Sequence, residues 1–146
     1  MQAAVSRNES PAAAGLRALF GRLQLGFVKD FLRDSSDTSD IEQPVVMADL
    51  SQANIITSRY NDGTARHALL LDLDHPAWLV KSTTEGHFHL YVDVPGGIPH
   101  ERYFALLGSL ADCGVIERGY EKASRVRGFS SLRQPWVKKE GGGRDG

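Results

Sequence analysis

Two turn signals close together constrain this chain more than anything else in it. Asn61-Asp62-Gly63-Thr64 separates two apolar-rich segments, 54–60 (NIITSRY) and 67–74 (HALLLDLD). Thr83-Thr84-Glu85-Gly86 separates 77–82 (AWLVKS) from 88–94 (FHLYVDV) in the same manner. A short Gly-containing turn between apolar segments of strand length favours a β-hairpin, because glycine supplies the backbone conformation that reverses the chain. Four strands in two antiparallel hairpins are therefore predicted.

Helical signals flank this block. After Pro95-Gly96-Gly97 and Pro99, the positions Tyr103, Leu106, Leu107 and Leu110 recur at helical spacing. Pro near the start and Gly114 near the end suit the two termini of a helix closing around 112–114. Leu16, Leu19, Phe20, Leu23, Phe27 and Phe31 carry the same period, which predicts an amphipathic helix over 14–33. Residues 1–13 read as a disordered lead, 34–43 as an acidic, Ser-rich linker, and 140–146 as a frayed tail. The body, 44–139, is expected to be one α+β domain with a mainly antiparallel sheet, completed by one or two strands after Val115-Ile116. A chain of 146 residues with 41% hydrophobic content can build one modest core, not two full domains.

The net charge of −1 conceals a segregation. Residues 1–33 sum to +3, 34–112 to −8 and 113–146 to +4. An acidic block can be a solvated surface or can gather around a metal; a basic end can be solvated or can face phosphate. The single Cys113 excludes an intrachain disulfide framework and any multi-cysteine metal site, and suits a reducing, cytoplasmic setting. No apolar run approaches the roughly 18 residues of a membrane span, so no membrane partner is expected. The Arg-bearing N-terminus could imitate an organelle transit peptide, but Glu9, Asp30 and the helix's length argue against it. A core-packing or partner-binding helix fits better. No P-loop, dinucleotide fingerprint or nucleophile elbow occurs, and Cys113 has no His partner nearby in sequence.

Three clusters could carry chemistry. In 69–74 (LLLDLD), a strand would put Asp72 and Asp74 on one face, since residues two apart share a face. Two adjacent carboxylates repel unless a cation sits between them, and Mg²⁺ or Mn²⁺ would do so while keeping sites open for phosphate oxygens. Solvated acids at a strand end are the plain alternative. In 85–91 (EGHFHLY), His87 and His89 would share a face and could meet phosphate or metal, or could simply be half-exposed histidines near a hairpin tip. In 125–139 (RVRGFSSLRQPWVKK), cations and aromatics interleave with Gly and Ser, as phosphate contact plus base stacking needs. The same composition also describes an ordinary exposed edge.

In this order the clusters resemble the archaeo-eukaryotic primase superfamily, in the branch of compact phage and plasmid primase–polymerases and replication-protein primases. LLLDLD looks like the first motif, a hydrophobic strand ending in Asp-x-Asp. TEGHFHLY resembles the second, with His89 as the matching histidine and His87 where a small residue is usual. Val115-Ile116-Glu117 matches the third loosely, with Glu for the usual Asp. SLRQPWVKK is similar to the trailing basic element, offering Arg133 and Lys138 or Lys139.

The resemblance spans about half of the chain, and it implies an RRM-like sheet with packed helices. It implies Asp72, Asp74 and Glu117 as catalytic carboxylates holding two Mg²⁺ or Mn²⁺, with His87, His89, Arg133 and Lys138 on the nucleotide. Arg125, Arg127, Trp136 and Lys139 would meet nucleic acid. The partners implied are a single-stranded or primed DNA template and nucleoside triphosphates, for two-metal nucleotidyl transfer in phage or plasmid replication. Size opposes this, because such catalytic domains usually need more chain. A non-catalytic nucleic-acid or nucleotide-binding module on a degenerate primase fold is the alternative. A small α+β interaction protein, acting on a protein partner through its N-terminal helix, is the third reading.

Overall fold

A computed structural model describes residues 10–29 and 43–137. The chain divides into two compact units, Met1–Leu71 and Asp72–Gly146. Three helices and antiparallel sheets of three and two strands make it α+β, as the turn signals and helical periods predict.

In the first unit, helix α1 (Pro11–Phe20) starts at Ser10, whose hydroxyl accepts a hydrogen bond from the Ala13 N–H at 3.2 Å, with Pro11 in the first turn. Both residues suit a helix start, one by satisfying a free N–H and the other by lacking one. The helix stops at Phe20 and the chain re-enters as strand β1 (Leu23–Phe27). The expected helix over 14–33 is thus corrected, as is the assignment of Pro11, Ala12 and Ala13 to a disordered lead.

The reason lies in a double period. Leu16, Leu19, Phe20, Leu23 and Phe27 fit a helix, but Leu23, Leu25 and Phe27 fit a strand equally well, and tertiary burial decides. Leu23 is 1% exposed and Leu25 9%, the buried centre of this unit. Residues 30–42, which contain the rest of the expected helix and nearly all of the expected linker, lie outside the described residues, as do 1–9.

Strand β1 is central in a sheet of order β2-β1-β3, with β2 at Val45–Met47 and β3 at Ile55–Tyr60. Both pairings are antiparallel: Leu25 faces Met47 on one side and Ile56 on the other. A strand that precedes residue 44 therefore sits at the centre of the sheet, so the expected body 44–139 does not stand as one unit. Asn54 ties the sheet end: its Nδ2 donates to the Val28 carbonyl at 2.6 Å and its Oδ1 accepts from the Val28 N–H at 2.9 Å. The first predicted turn forms, with Gly63 at φ +79°, but its second arm shrinks to a bridge between Arg59 and His67. Leu69, Leu70, Leu71 and Leu73 are all exposed and lie outside both sheets, correcting the strand expected over 67–74. Three consecutive leucines have no alternation, so no register hides them on one face.

In the second unit, strands β4 (Ala77–Lys81) and β5 (Phe88–Val92) form the second predicted hairpin in unbroken register, with Gly86 at φ +77° in the turn. Helix α2 (His100–Asp112) begins after Pro99 and ends before Gly114, as predicted. Where one or two strands were expected next, helix α3 (Arg118–Arg127) forms and closes on Gly128 in the left-handed region at φ +83°. Its pairs explain the outcome, since Arg118–Glu121 and Glu121–Arg125 stand three and four residues apart, the spacings at which opposite charges support a helix.

Helices α2 and α3 pack around Phe104 and Leu107, 7% and 6% exposed. Two polar side chains of α3, Glu121 and Ser124, are buried with them. Each has a partner: Glu121 pairs with Arg125, and the Ser124 hydroxyl accepts from Ser130 at 3.1 Å, which accepts in turn from the Tyr103 hydroxyl at 2.6 Å. Buried polar groups satisfied in this way fix one packing of the two helices.

Candidate nucleic-acid interface

The basic segment opens inside α3 and runs on past Gly128 without regular structure to residue 137. Arg125, expected to meet nucleic acid, is engaged within its own unit. Its Nε donates to the Glu121 carboxylate, its Nη2 donates to the Phe104 carbonyl at 2.8 Å, and its guanidinium stands 5.7 Å from the Phe104 ring centroid. Arg125 is therefore a clasp between α3 and α2. The same hydrogen bond holds the Glu121 carboxyl below its usual range, with Arg118 adding charge attraction.

Apart from the half-buried Ser130, the residues from Val126 to Val137 are exposed. Among the described residues Arg127 donates to the Ser131 hydroxyl alone, at 3.3 Å, and Arg133 is exposed. Trp136 is 77% exposed, with its indole N–H on the Gln134 side-chain oxygen at 2.9 Å. Phe129 is 59% exposed directly after the left-handed Gly128. Composition placed Phe129 in the cluster without a role. The signal that could have singled it out is its position: an aromatic that follows a helix-ending glycine cannot continue the helix's apolar stripe. Two open aromatic rings and two open guanidiniums within one short segment are the elements of a single-strand platform. Lys138 and Lys139 lie outside the described residues.

Asp72 and Asp74 are both exposed, in the segment leading into β4 rather than in a strand. The strand beside the histidines is β4, not LLLDLD. His89 pairs with Val80, so it lies about 10 Å along the ladder from Ala77, where β4 begins. His87 sits just outside β5, in the turn at that far end, where its carbonyl accepts from Ser82 at 2.9 Å. Glu117 is the exposed residue capping the start of α3, and its side chain makes no capping hydrogen bond.

Among the described residues no three His, Cys, Asp or Glu side chains gather closely enough to hold a metal ion. The set Asp72, Asp74 and Glu117 does not form a closed Mg²⁺ or Mn²⁺ site. Among the described residues no helix is long and apolar enough to cross a membrane. Comparison with protein-family models, curated proteins and solved structures finds no match.

Proposed function

We propose that this chain is a nucleic-acid-binding module that takes single-stranded DNA on the segment from Arg127 to Trp136. The observation that carries the reading is the exposure of Trp136 and Phe129 beside Arg127 and Arg133. An aromatic ring left in water adds nothing to folding, whereas a base stacked on it contributes about 1–3 kcal/mol regardless of base identity. Guanidiniums nearby meet the phosphates between stacked bases, which makes the affinity depend steeply on salt. The resemblance to compact replication primases, with their RRM-like sheet, points to the same ligand.

Anisotropy of a labelled oligothymidylate tests the proposal. Binding should weaken as salt rises, and Trp136→Ala with Phe129→Ala should weaken it at least tenfold while the fold is retained. Equal affinity of the double variant and the parent would overturn it.

Nucleotidyl transfer is the second reading, favoured by two solvent-open carboxylates two residues apart, which, among the described residues, have no ion-pair partner. On that reading Asp72 and Asp74 bind the metal, Glu117 or a residue of a partner chain completes the set, and His87, His89 and Arg133 take the triphosphate. Primer extension with Mn²⁺ is its test.

A further inference from the structure

The first unit carries a cleft of about 330 Å³ lined by Arg22, Tyr60, Asn61, Asp62 and Arg66. Its walls come from the turn between α1 and β1 and from the end of β3 with the loop that follows. Backbone hydrogen bonds fix both arginines to that strand end: the Asn61 N–H donates to the Arg22 carbonyl at 2.9 Å, and the Tyr60 N–H donates to the Arg66 carbonyl at 3.1 Å. The Asn61 side chain adds a bond to the Gly21 carbonyl at 3.1 Å. The two guanidiniums thus project from anchored backbone, and both side chains are exposed. Asp62, the acid in the cleft, accepts at its Oδ1 from the Thr64 hydroxyl at 2.6 Å and from the Thr64 N–H at 3.0 Å, and its charge also attracts Arg66. The half-buried Tyr60, which pairs with Leu23 on β1, supplies an aromatic wall.

We infer that this cleft binds the phosphate monoester of a nucleotide, with Arg22 and Arg66 on the phosphate and Tyr60 against the base. Guanidiniums match phosphate oxygens in a planar, bidentate fashion, and a tyrosine ring offers a stacking face. A cleft of this volume stands at the low end of small-ligand sites, enough for one nucleotide. The phosphate can belong to a free nucleotide or to the 5′ end of a strand. The inference stands apart from the single-strand platform, since none of its residues belongs to the 127–136 segment.

The test follows backbone amide shifts of Arg22, Asn61 and Arg66 while the full chain is titrated with AMP, adenosine, and a 12-residue oligodeoxynucleotide with and without a 5′ phosphate. Saturable shifts are expected with AMP or with the phosphorylated strand, at least tenfold tighter than with the partner lacking phosphate. Response to AMP assigns a free nucleotide; response to the phosphorylated strand alone assigns a strand end. Arg22→Gln with Arg66→Gln should weaken binding at least tenfold, and Trp136→Ala should leave it unchanged. Neither side chain makes a hydrogen bond among the described residues, so the double variant should keep the amide spectrum of the folded unit. Absence of saturable shifts with both phosphorylated probes, or equal binding by the folded double variant, would overturn the inference.

Discussion

Gly26 gives opposite signs for the two conformations that its segment could adopt. In the structure it is buried in the central strand β1, opposite Val46 and Ile55. A Cβ added there would lie 3.0 Å from the Pro44 Cβ and 3.1 Å from both Cγ1 and Cδ1 of Ile55. Carbon pairs prefer about 3.5–4.0 Å, so with Gly26→Ala the side chains of Pro44 and Ile55 must give by a few tenths of an ångström. Overpacking of this kind costs about 1–3 kcal/mol. Loss of glycine's freedom in the unfolded chain returns about 0.4–1 kcal/mol.

The net expectation is destabilisation by about 1 kcal/mol, and more for Gly26→Val, whose two further carbons enter the same gap. Had the segment continued as helix, the same change to Ala would have stabilised it by about 0.8–1.0 kcal/mol. Both tryptophans, Trp78 and Trp136, lie in the other unit, so indole fluorescence reports the wrong half of the chain. Urea unfolding followed through the amide signals of Leu25 and Ile56 reports the right one. Midpoints that rise for Ala, or that stay level for Val, would refute the strand packing.

Three further outcomes follow from the second unit. Arg125→Ala removes a charged hydrogen bond to the Phe104 carbonyl and should cost about 1.5–3 kcal/mol by thermal unfolding, whereas the exposed Arg127→Ala should stay within about 0.5 kcal/mol. The Glu121 carboxyl, held below its ordinary 4.5 by Arg125, favours the folded state above that pH. That contribution is lost as pH falls through the lowered folded value, so the tryptophan-detected midpoint should drop below about pH 4.5, and Glu121→Gln should flatten the drop. On the nucleotidyl-transfer reading, Asp72→Ala with Asp74→Ala should abolish Mn²⁺-dependent primer extension; product that survives the double substitution would remove that reading.

The legible parts of the fold were those with one dominant local signal. The β4–β5 hairpin followed from a Gly-containing turn between apolar runs, and α2 from its period with Pro99 and Gly114 at the ends. Leu23–Phe27 misled because its spacing satisfies both periods, and only burial against β2 and β3 separates them. Helix α3 was hidden because its stabilising pairs, Arg118–Glu121 and Glu121–Arg125, also look like a generic basic surface. At the site, residue type alone could not reveal that Arg125 is committed to Glu121 and Phe104 while Trp136 and Arg133 stand exposed. Nor could the spacing of Asp72 and Asp74 tell a strand face from the open segment in which they stand.

The most direct test of the single-strand platform is the fluorescence of Trp136 itself. In a Trp78→Phe background, Trp136 is the sole indole, and it stands 77% exposed to solvent. Titration with oligothymidylate should quench its emission in a saturable, salt-dependent manner, as base stacking on the ring requires. Emission that stays unchanged while anisotropy reports the oligonucleotide bound, or no binding at low salt, would contradict the account.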